Sequence, residues 1–228
     1  MAVQRNFQFH FSHGKIACVV FDFEKSDDSF LEMLSSDERK VSSSFSSLSR
    51  KLEYGFCRCG AKIALSMLVP DLINKNISVR NESAGYPYFF SSTDDIGDYF
   101  VTLSHSGCKS ISVVSDFACG VDIEFWNTNR VRAMKKLSPE FNESSKLLAA
   151  WSLKESLVKA VHTGFIKDFS EYRIDQLKVE NHYAECSFVN FPDYVGIANI
   201  HHHQSVSIVT TKKYSGFFHQ FKSFMENL

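Results

Sequence analysis

The chain has 228 residues, of which 44% are hydrophobic and 22% are charged. This length accommodates one large domain or two small ones with a buried core, and the composition is that of a globular protein. The net charge of −1 gives no global basis for binding nucleic acid, and no apolar stretch is long enough to span a bilayer. Six cysteines without a CxxC pair, together with a start that lacks a signal peptide, predict a cytoplasmic protein with reduced thiols.

The sequence pattern of the first half of the chain predicts a strand and two helices, of which the second is long. β-branched and aromatic residues predict a strand over residues 15–23. Ser35 and Glu38 fit a capping box that opens a helix. Apolar residues that recur at steps of three and four predict a second helix over residues 50–68, which Pro70 ends. Basic residues share another face of this helix, which is typical of a solvated face or of a phosphate-binding surface.

The middle of the chain alternates strand and helix patterns. Residues 99–105 and 110–115 are strand-like runs joined by a turn and predict a hairpin. Residues 120–124 predict a short strand that alternates apolar and acidic side chains. A serine N-cap followed by proline predicts that residues 137–140 open a helical region, and residues 146–161 form the strongest helical pattern. The remaining predicted elements are strands over residues 183–188, 194–200 and 206–210 and a helix over residues 214–228.

Three carboxylates lie on these elements in positions that suit a divalent cation. Asp122 and Glu124 are two residues apart on a strand, so both point to the same side of it. Buried together they would repel each other, and either exposure to water or a bound cation must offset that repulsion. Glu155 and Lys159 are four residues apart on one helix face, a spacing that is also common in surface pairs. Three oxygen ligands beside a lysine predict a magnesium site that receives a phosphate-containing substrate.

Five short segments resemble the Sfp-type 4′-phosphopantetheinyl transferases. That family has a Gly-[Val/Ile]-Asp-x-Glu strand and a later Trp-[Ser/Thr/Cys]-x-Lys-Glu-[Ser/Ala]-x-x-Lys helix, which match GVDIE at 120–124 and WSLKESLVK at 151–159. Upstream, GYP at 85–87 and SHS at 104–106 match the family's Gly-x-Pro and Ser-His-Ser, and RKLE at 50–53 resembles its basic helix. The resemblance runs from about residue 34 to residue 165.

The resemblance implies a function and a set of site residues. The chain would transfer the 4′-phosphopantetheine group of coenzyme A to a serine of an apo carrier protein, with Mg²⁺, and release 3′,5′-ADP. The base that activates this serine would be Glu155 or a magnesium-bound water. The implied metal ligands are Asp122, Glu124 and Glu155, the catalytic positions are Glu155 and Lys159, and the coenzyme A contacts are Arg58, His105, Lys154 and Lys159, with Arg50 and Lys51 as further contacts.

An internal repeat and the resemblance together indicate the fold and the domain organisation. Leu-Ser opens a predicted helical stretch followed by strands at residues 34–35 and again at residues 137–138, which suggests two similar halves. We expect an α+β protein made of two similar α/β halves related by pseudo-twofold symmetry. Residues 1–116 would hold the basic helix and the Ser-His-Ser hairpin, and residues 117–228 would hold the metal ligands and the catalytic helix. Two such halves in one chain predict a monomer. The net charge of −1 predicts that it binds neither nucleic acid nor membranes.

Three positions depart from the family pattern, and one motif stands outside it. Cys57 replaces a glycine before the helix arginine, Tyr86 replaces a basic residue, and Gly164 lies five residues after the final lysine. Three consecutive histidines at 201–203 resemble a metal site, but neighbouring strand residues point to opposite faces, which favours an exposed edge or turn.

Two other functions fit parts of the pattern. A degenerate homologue would bind coenzyme A or a carrier protein without catalysis, although intact acids and lysine argue against it. A different magnesium enzyme would act on another nucleotide or pyrophosphate, although the chain has neither a GxxxxGK[ST] nor a GxGxxG motif. The carrier could belong to a fatty-acid, polyketide, polyunsaturated-lipid or peptide synthase.

Overall fold

A computed structural model describes residues 3–11, 13–24, 28–72, 75–162, 171–201 and 203–226. The chain divides into two units, Met1–Phe117 and Ala118–Leu228, and each combines an antiparallel sheet with helices. The protein is thus of mixed α/β architecture. None of the described helices has both the length and the apolar character that crossing a bilayer requires.

The first unit is a four-stranded antiparallel sheet with the order β1-β2-β6-β5, and a separate hairpin pairs β3 with β4. Helix α2 covers one face of the larger sheet. Alternate residues of β2, among them Val19 and Phe21, pack with Phe56 and Leu65 of α2 in a buried apolar core. Each such side chain stabilises the fold by about 1.5–3 kcal/mol. The elements are β1 Val3–Phe11, β2 Gly14–Asp22, α1 Ser36–Ser44, α2 Leu48–Leu68, β3 Ser78–Asn81, β4 Pro87–Phe90, β5 Phe100–Ser106 and β6 Lys109–Ser115.

A buried carboxylate joins three elements of the first unit. The capping box predicted at Ser35 and Glu38 is confirmed, since each side chain accepts a hydrogen bond from the other residue's backbone N–H. Glu38 also accepts from the backbone N–H of Val79 at 2.7 Å and from the ammonium of Lys62. Lys62 donates in addition to the carbonyl oxygen of Met33 at 2.8 Å. Glu38 therefore ties α1, α2 and β3 together, with Lys62 as its partner on the basic helix.

The second unit is a five-stranded antiparallel sheet with the order β7-β11-β10-β9-β8. Helix α4 packs on one face, where Leu153 and Leu157 meet Ala184, Ala198 and Val209. The elements are β7 Cys119–Phe125, α3 Val131–Leu137, α4 Ser144–Ala160, β8 Ile174–Glu180, β9 Tyr183–Phe188, β10 Tyr194–His201, β11 Gln204–Thr211 and α5 Phe218–Met225.

Most of the predicted elements are confirmed, but the prediction that residues 137–140 open a helix is wrong. Helix α3 ends at Leu137, and the N–H of Ser138 closes it by donating to the carbonyl of Met134 at 2.8 Å. Helix α4 begins only at Ser144, with Glu143 as its N-cap. Proline soon after a helix end is as typical as proline at a helix start, because it cannot continue a helix. The proposed internal repeat between residues 34–35 and 137–138 loses this support.

Strands β1 and β8 were not among the predicted elements. In β1 the rings of Phe7, Phe9 and Phe11 stack along one face, with centroid distances of 6.4 and 5.6 Å. Phenylalanine at every second residue is the period of a strand, so this signal was present in the sequence.

Candidate active site

Asp122 and Glu124 lie on the face of β7 that is turned towards α4. A Cβ atom added at Gly120 would collide with α4. Because every second residue of a strand lies on the same face, Asp122 and Glu124 lie on the same face as Gly120. Asp122 is 2% exposed and Glu124 is 9% exposed. Exposure to water therefore does not offset their mutual repulsion, and neighbouring cations must do so.

Small residues allow α4 to lie unusually close to the sheet beside these acids. A Cβ atom on Gly120 would be 1.9 Å from the backbone oxygen of Ser156. On β11 the hydroxyl of Ser207 hydrogen-bonds those of Ser152 and Ser156 at 2.8 and 2.7 Å, and Ser207 pairs with Asp122 across the strands. This buried serine cluster and the glycine set the position of α4 relative to β7.

Two cations neutralise the acids of β7. The ammonium of Lys159 donates to Oδ1 of Asp122 at 2.9 Å and to the carbonyl oxygen of Val121 at 2.9 Å. Arg130 forms an ion pair of 2.8 Å with Glu124. The predicted neighbours Asp122 and Lys159 are thus brought together, whereas Arg130 had no role in the sequence analysis. Its partner is six residues away, and no helical or strand period marks the pair.

Glu155 occupies the third acidic position, on α4. The pKa of Glu155 is raised to about 7, first by burial and then by the negative charges of Asp122 and Glu124, while the positive charges of Lys159 and Arg130 oppose the shift. A carboxyl group with this pKa exchanges its proton near neutral pH. The three acids thus interact electrostatically across β7 and α4.

The three predicted metal ligands are carboxylates, which suit magnesium, but their oxygen atoms are not all within 4.8 Å of one another. Within the described part of the chain, the acids and thiols whose ligand atoms all lie within 4.8 Å of one another are Asp22, Glu24 and Cys108. Burial and the two nearby acids raise the pKa of the Cys108 thiol, which disfavours the thiolate that a metal needs. In the predicted site, Lys159 and Arg130 hold carboxylate oxygens that magnesium would prefer. A divalent ion would compete with these two cations for the same oxygens.

Lys154, a predicted phosphate contact, is almost fully buried. Its side chain is 2% exposed, and its ammonium donates to the carbonyl oxygen of Leu137 at 2.6 Å. The carboxylate of Glu140 lies 3.8 Å away. Burial lowers the pKa of Lys154, and Glu140 opposes that shift. The ammonium of this lysine is therefore used inside the unit.

The first unit brings together two of the predicted coenzyme A contacts. Nη1 of Arg50 on α2 and Nε2 of His105 on β5 are 3.4 Å apart. Glu53 holds both, since its Oε2 is 3.4 Å from Nη1 of Arg50 and 3.5 Å from Nδ1 of His105. Arg50 and His105 are 57% and 34% exposed, so solvent reaches both. Lys51, the next residue on α2, is half-buried.

Arg58 lies two turns further along α2, about 12 Å along the helix axis from Arg50. Its guanidinium stacks on the ring of Tyr54, with 3.4 Å between Cζ and the ring centroid, and donates to the side chain of Asn81 at 3.4 Å. Burial lowers the pKa of Arg58. The structure does not gather Arg58 with the pair of Arg50 and His105.

The residues that depart from the family pattern or lie outside it differ in their exposure to solvent. Cys57 is buried and directs its thiol at the carbonyl oxygen of Ser104, 3.6 Å away. His201 and His203 are exposed at the turn between β10 and β11, as the prediction of an edge or turn requires. His202 and Gly164 lie outside the described residues.

Comparison with known proteins points to one superfamily. Residues 118–208 match the family model of the 4′-phosphopantetheinyl transferase superfamily, a stretch that contains β7, α4 and the three acids. No curated protein matches the chain significantly. Among solved structures, a holo-(acyl-carrier-protein) synthase from Bacillus anthracis in complex with CoA (3′,5′-ADP) is 25% identical to it. The match covers 44% of this chain and 92% of that one, but its TM-score of 0.35 is too low to transfer any detail of the complex. Residues 118–208, within the unit Ala118–Leu228, are therefore similar to the 4′-phosphopantetheinyl transferase superfamily.

Proposed function

We propose that the protein transfers the 4′-phosphopantetheine group of coenzyme A to a serine of an apo carrier protein and releases 3′,5′-ADP, in a magnesium-dependent reaction. The observation that carries this proposal is the electrostatic interaction of Glu155 with Asp122, Glu124 and Lys159, within the segment that matches the superfamily. Asp122, Glu124 and Glu155 would hold the magnesium ion, which when bound neutralises and orients the pyrophosphate.

The chain itself supplies a base and a cation for this reaction. A serine hydroxyl is a weak nucleophile near neutral pH and needs a group that accepts its proton. Glu155, whose pKa is raised to about 7 by burial, accepts a proton in that range. Lys159 places a positive charge where negative charge develops on the departing 3′,5′-ADP, and it can protonate that oxygen. Its side chain is 26% exposed, so a substrate can reach it.

Coenzyme A carries several phosphate groups that require cations. We assign the nucleotide part to Arg50, Lys51, His105 and Arg58 of the first unit, as the family resemblance implies. The contact of Arg50 with His105 supports a joint role for these two, because both are open to solvent. Arg58 would have to leave its stack on Tyr54 or offer only part of its guanidinium.

A basic surface beside the acids suits an acidic protein partner. Arg132, Lys135 and Lys136 of α3 are exposed, and Arg130 just before this helix reaches Glu124. No acidic residue occurs between positions 125 and 139. Clustered cations attract a partner of opposite charge and orient it as it approaches. We propose that the carrier protein docks on this face of α3. We also propose a cytoplasmic location for this reaction, as the six cysteines without a CxxC pair led us to expect.

Intact-mass measurement of the carrier tests the function. The protein is incubated with coenzyme A, magnesium and an apo carrier protein, and the carrier should gain the mass of phosphopantetheine. Glu155→Gln should abolish the gain while the circular dichroism spectrum stays unchanged, because the amide neither binds magnesium as an anion nor accepts a proton. Glu180→Gln is the control, since Glu180 is 69% exposed on β8. Absence of a mass gain across several carriers, or full activity of Glu155→Gln in excess magnesium, would contradict the proposal.

A further inference from the structure

Lys154 is a charged residue that is only 1% exposed. A buried ammonium loses its hydration and persists only where other groups satisfy it. A side chain in direct contact with the phosphates of a large substrate must instead be open at the surface. The role of Lys154 must therefore follow from the groups that it contacts inside the protein.

The partners of Lys154 belong to the end of α3. Its ammonium donates to the carbonyl oxygen of Leu137, the last residue of α3, and Glu140 just beyond the helix lies 3.8 Å away. The carbonyl groups at a helix C-terminus have no partner in the helix and carry partial negative charge. The positive charge of Lys154 thus satisfies and stabilises the end of α3.

A second contact holds α3 on the same helix. Met134 of α3 is fully buried in a cluster with Leu147 and Leu148 of α4. Helix α3 has seven residues, a length at which a helix is not stable without tertiary contacts. Its orientation therefore depends on the apolar cluster and on the bond from Lys154.

We propose that Lys154 is a positioning residue that fixes α3, and with it the exposed cations Arg132, Lys135 and Lys136, for docking of the carrier protein. This rests on the proposed function, and it differs from the phosphate contact that the family resemblance implies for this position. Loss of the ammonium leaves Met134 as the main anchor, so α3 loses its fixed direction. Binding of the carrier then weakens, while binding of coenzyme A does not change.

Separate measurement of the two substrates tests this proposal. In Lys154→Met, which keeps an unbranched side chain, we expect the KM for the carrier to rise about tenfold and the KM for coenzyme A to stay unchanged. Calorimetric binding of 3′,5′-ADP should also match the wild type. Lys146→Met is the control, since Lys146 is a surface residue of α4 paired with Glu143. Weaker binding of 3′,5′-ADP, or an unchanged KM for the carrier, would overturn the proposal.

Labelling of the wild-type protein gives an independent answer if Lys154→Met does not fold. Lysines are acetylated with an amine-reactive reagent in the presence and absence of coenzyme A, and the extent at each site is read by mass spectrometry. Lys154 should react slowly in both samples, and Lys146 should react quickly in both. Fast reaction of Lys154 that coenzyme A suppresses would identify a phosphate contact and overturn the positioning role. The labelling needs no transfer activity, so its outcome is independent of a failure of the proposed function.

Discussion

Replacing Gly120 by alanine tests whether the close approach of α4 to β7 is essential. The new Cβ atom would lie 1.9 Å from the backbone oxygen of Ser156, 2.6 Å from the backbone nitrogen of Ala160 and 3.0 Å from Cβ of Lys159. Two of these three atoms belong to the backbone of α4, so no side-chain rotation relieves the overlap. The helix must therefore move away from the strand.

The size of this movement follows from the overlap. Ordinary van der Waals contact begins at 3.4 Å, so the oxygen of Ser156 must retreat by the difference from 1.9 Å, which is 1.5 Å. Overpacking of this kind costs about 1–3 kcal/mol of stability. Glu155 and Lys159 are the direct neighbours of the displaced atoms, and a misplacement of about 1 Å can reduce a rate about 100-fold. We expect Gly120→Ala to lower kcat/KM for carrier modification by at least that factor.

Transfer kinetics and unfolding should be measured on the same preparations. Formation of the holo carrier is followed by intact mass, and the free energy of unfolding is obtained by chemical denaturation. Gly216→Ala is the matched control, because a Cβ atom there has no neighbour within 4 Å in the described structure. A Gly120→Ala protein that loses stability but keeps wild-type kcat/KM would refute the claim that this approach positions Glu155 and Lys159.

Two further predictions concern buried carboxylates. The pKa of Glu155 is raised from its ordinary value of 4.5 to about 7, so the folded protein binds this proton more tightly than the unfolded chain does. Its contribution to stability in EDTA should be complete below about pH 4.5 and should be lost as the pH rises through about 7. Chemical denaturation of the wild type and of Glu155→Gln across this pH range measures the loss. A difference in unfolding free energy between the two proteins that does not change with pH would contradict the prediction. Glu38→Ala should cost about 3–5 kcal/mol, because the ammonium of Lys62, whose side chain is only 11% exposed, would lose its carboxylate partner. Glu53→Ala is its control, since the partner Arg50 is exposed, and equal losses in the two variants would contradict a special role for Glu38.

Local sequence patterns correctly predicted the elements of the second unit where the pattern was long and regularly spaced. The helix predicted over residues 146–161 is α4, Ser144–Ala160, and the strand predicted over residues 120–124 lies within β7. These periods arise within a few residues, so the sequence displays them directly. The failed boundary at residues 137–140 differs, because serine and proline suit either end of a helix. Tertiary contacts support the end of α3 at Leu137, namely the packing of Met134 on α4 and the hydrogen bond from Lys154 to the carbonyl oxygen of Leu137.

The roles of the basic residues were the least predictable part of the site. Lys62 and Lys154 both lie on regular helices, where charged residues are usually solvated. The structure buries Lys154 and leaves the side chain of Lys62 only 11% exposed, and it satisfies Lys62 with Glu38 and Lys154 with the end of α3. Neither partner is a helix neighbour, since 24 residues separate Lys62 from Glu38 and 17 separate Lys154 from Leu137.

The sequence alone determined which side chains share a face. Asp122 and Glu124 share one side of a strand, and Glu155 and Lys159 share one side of a helix, because backbone geometry within a few residues sets both relations. Only the tertiary structure decided that Lys159 binds Asp122, that burial raises the pKa of Glu155, and which other cations neutralise the acids. These outcomes depend on how closely α4 lies on β7, and that distance is set by contacts between residues far apart in the chain.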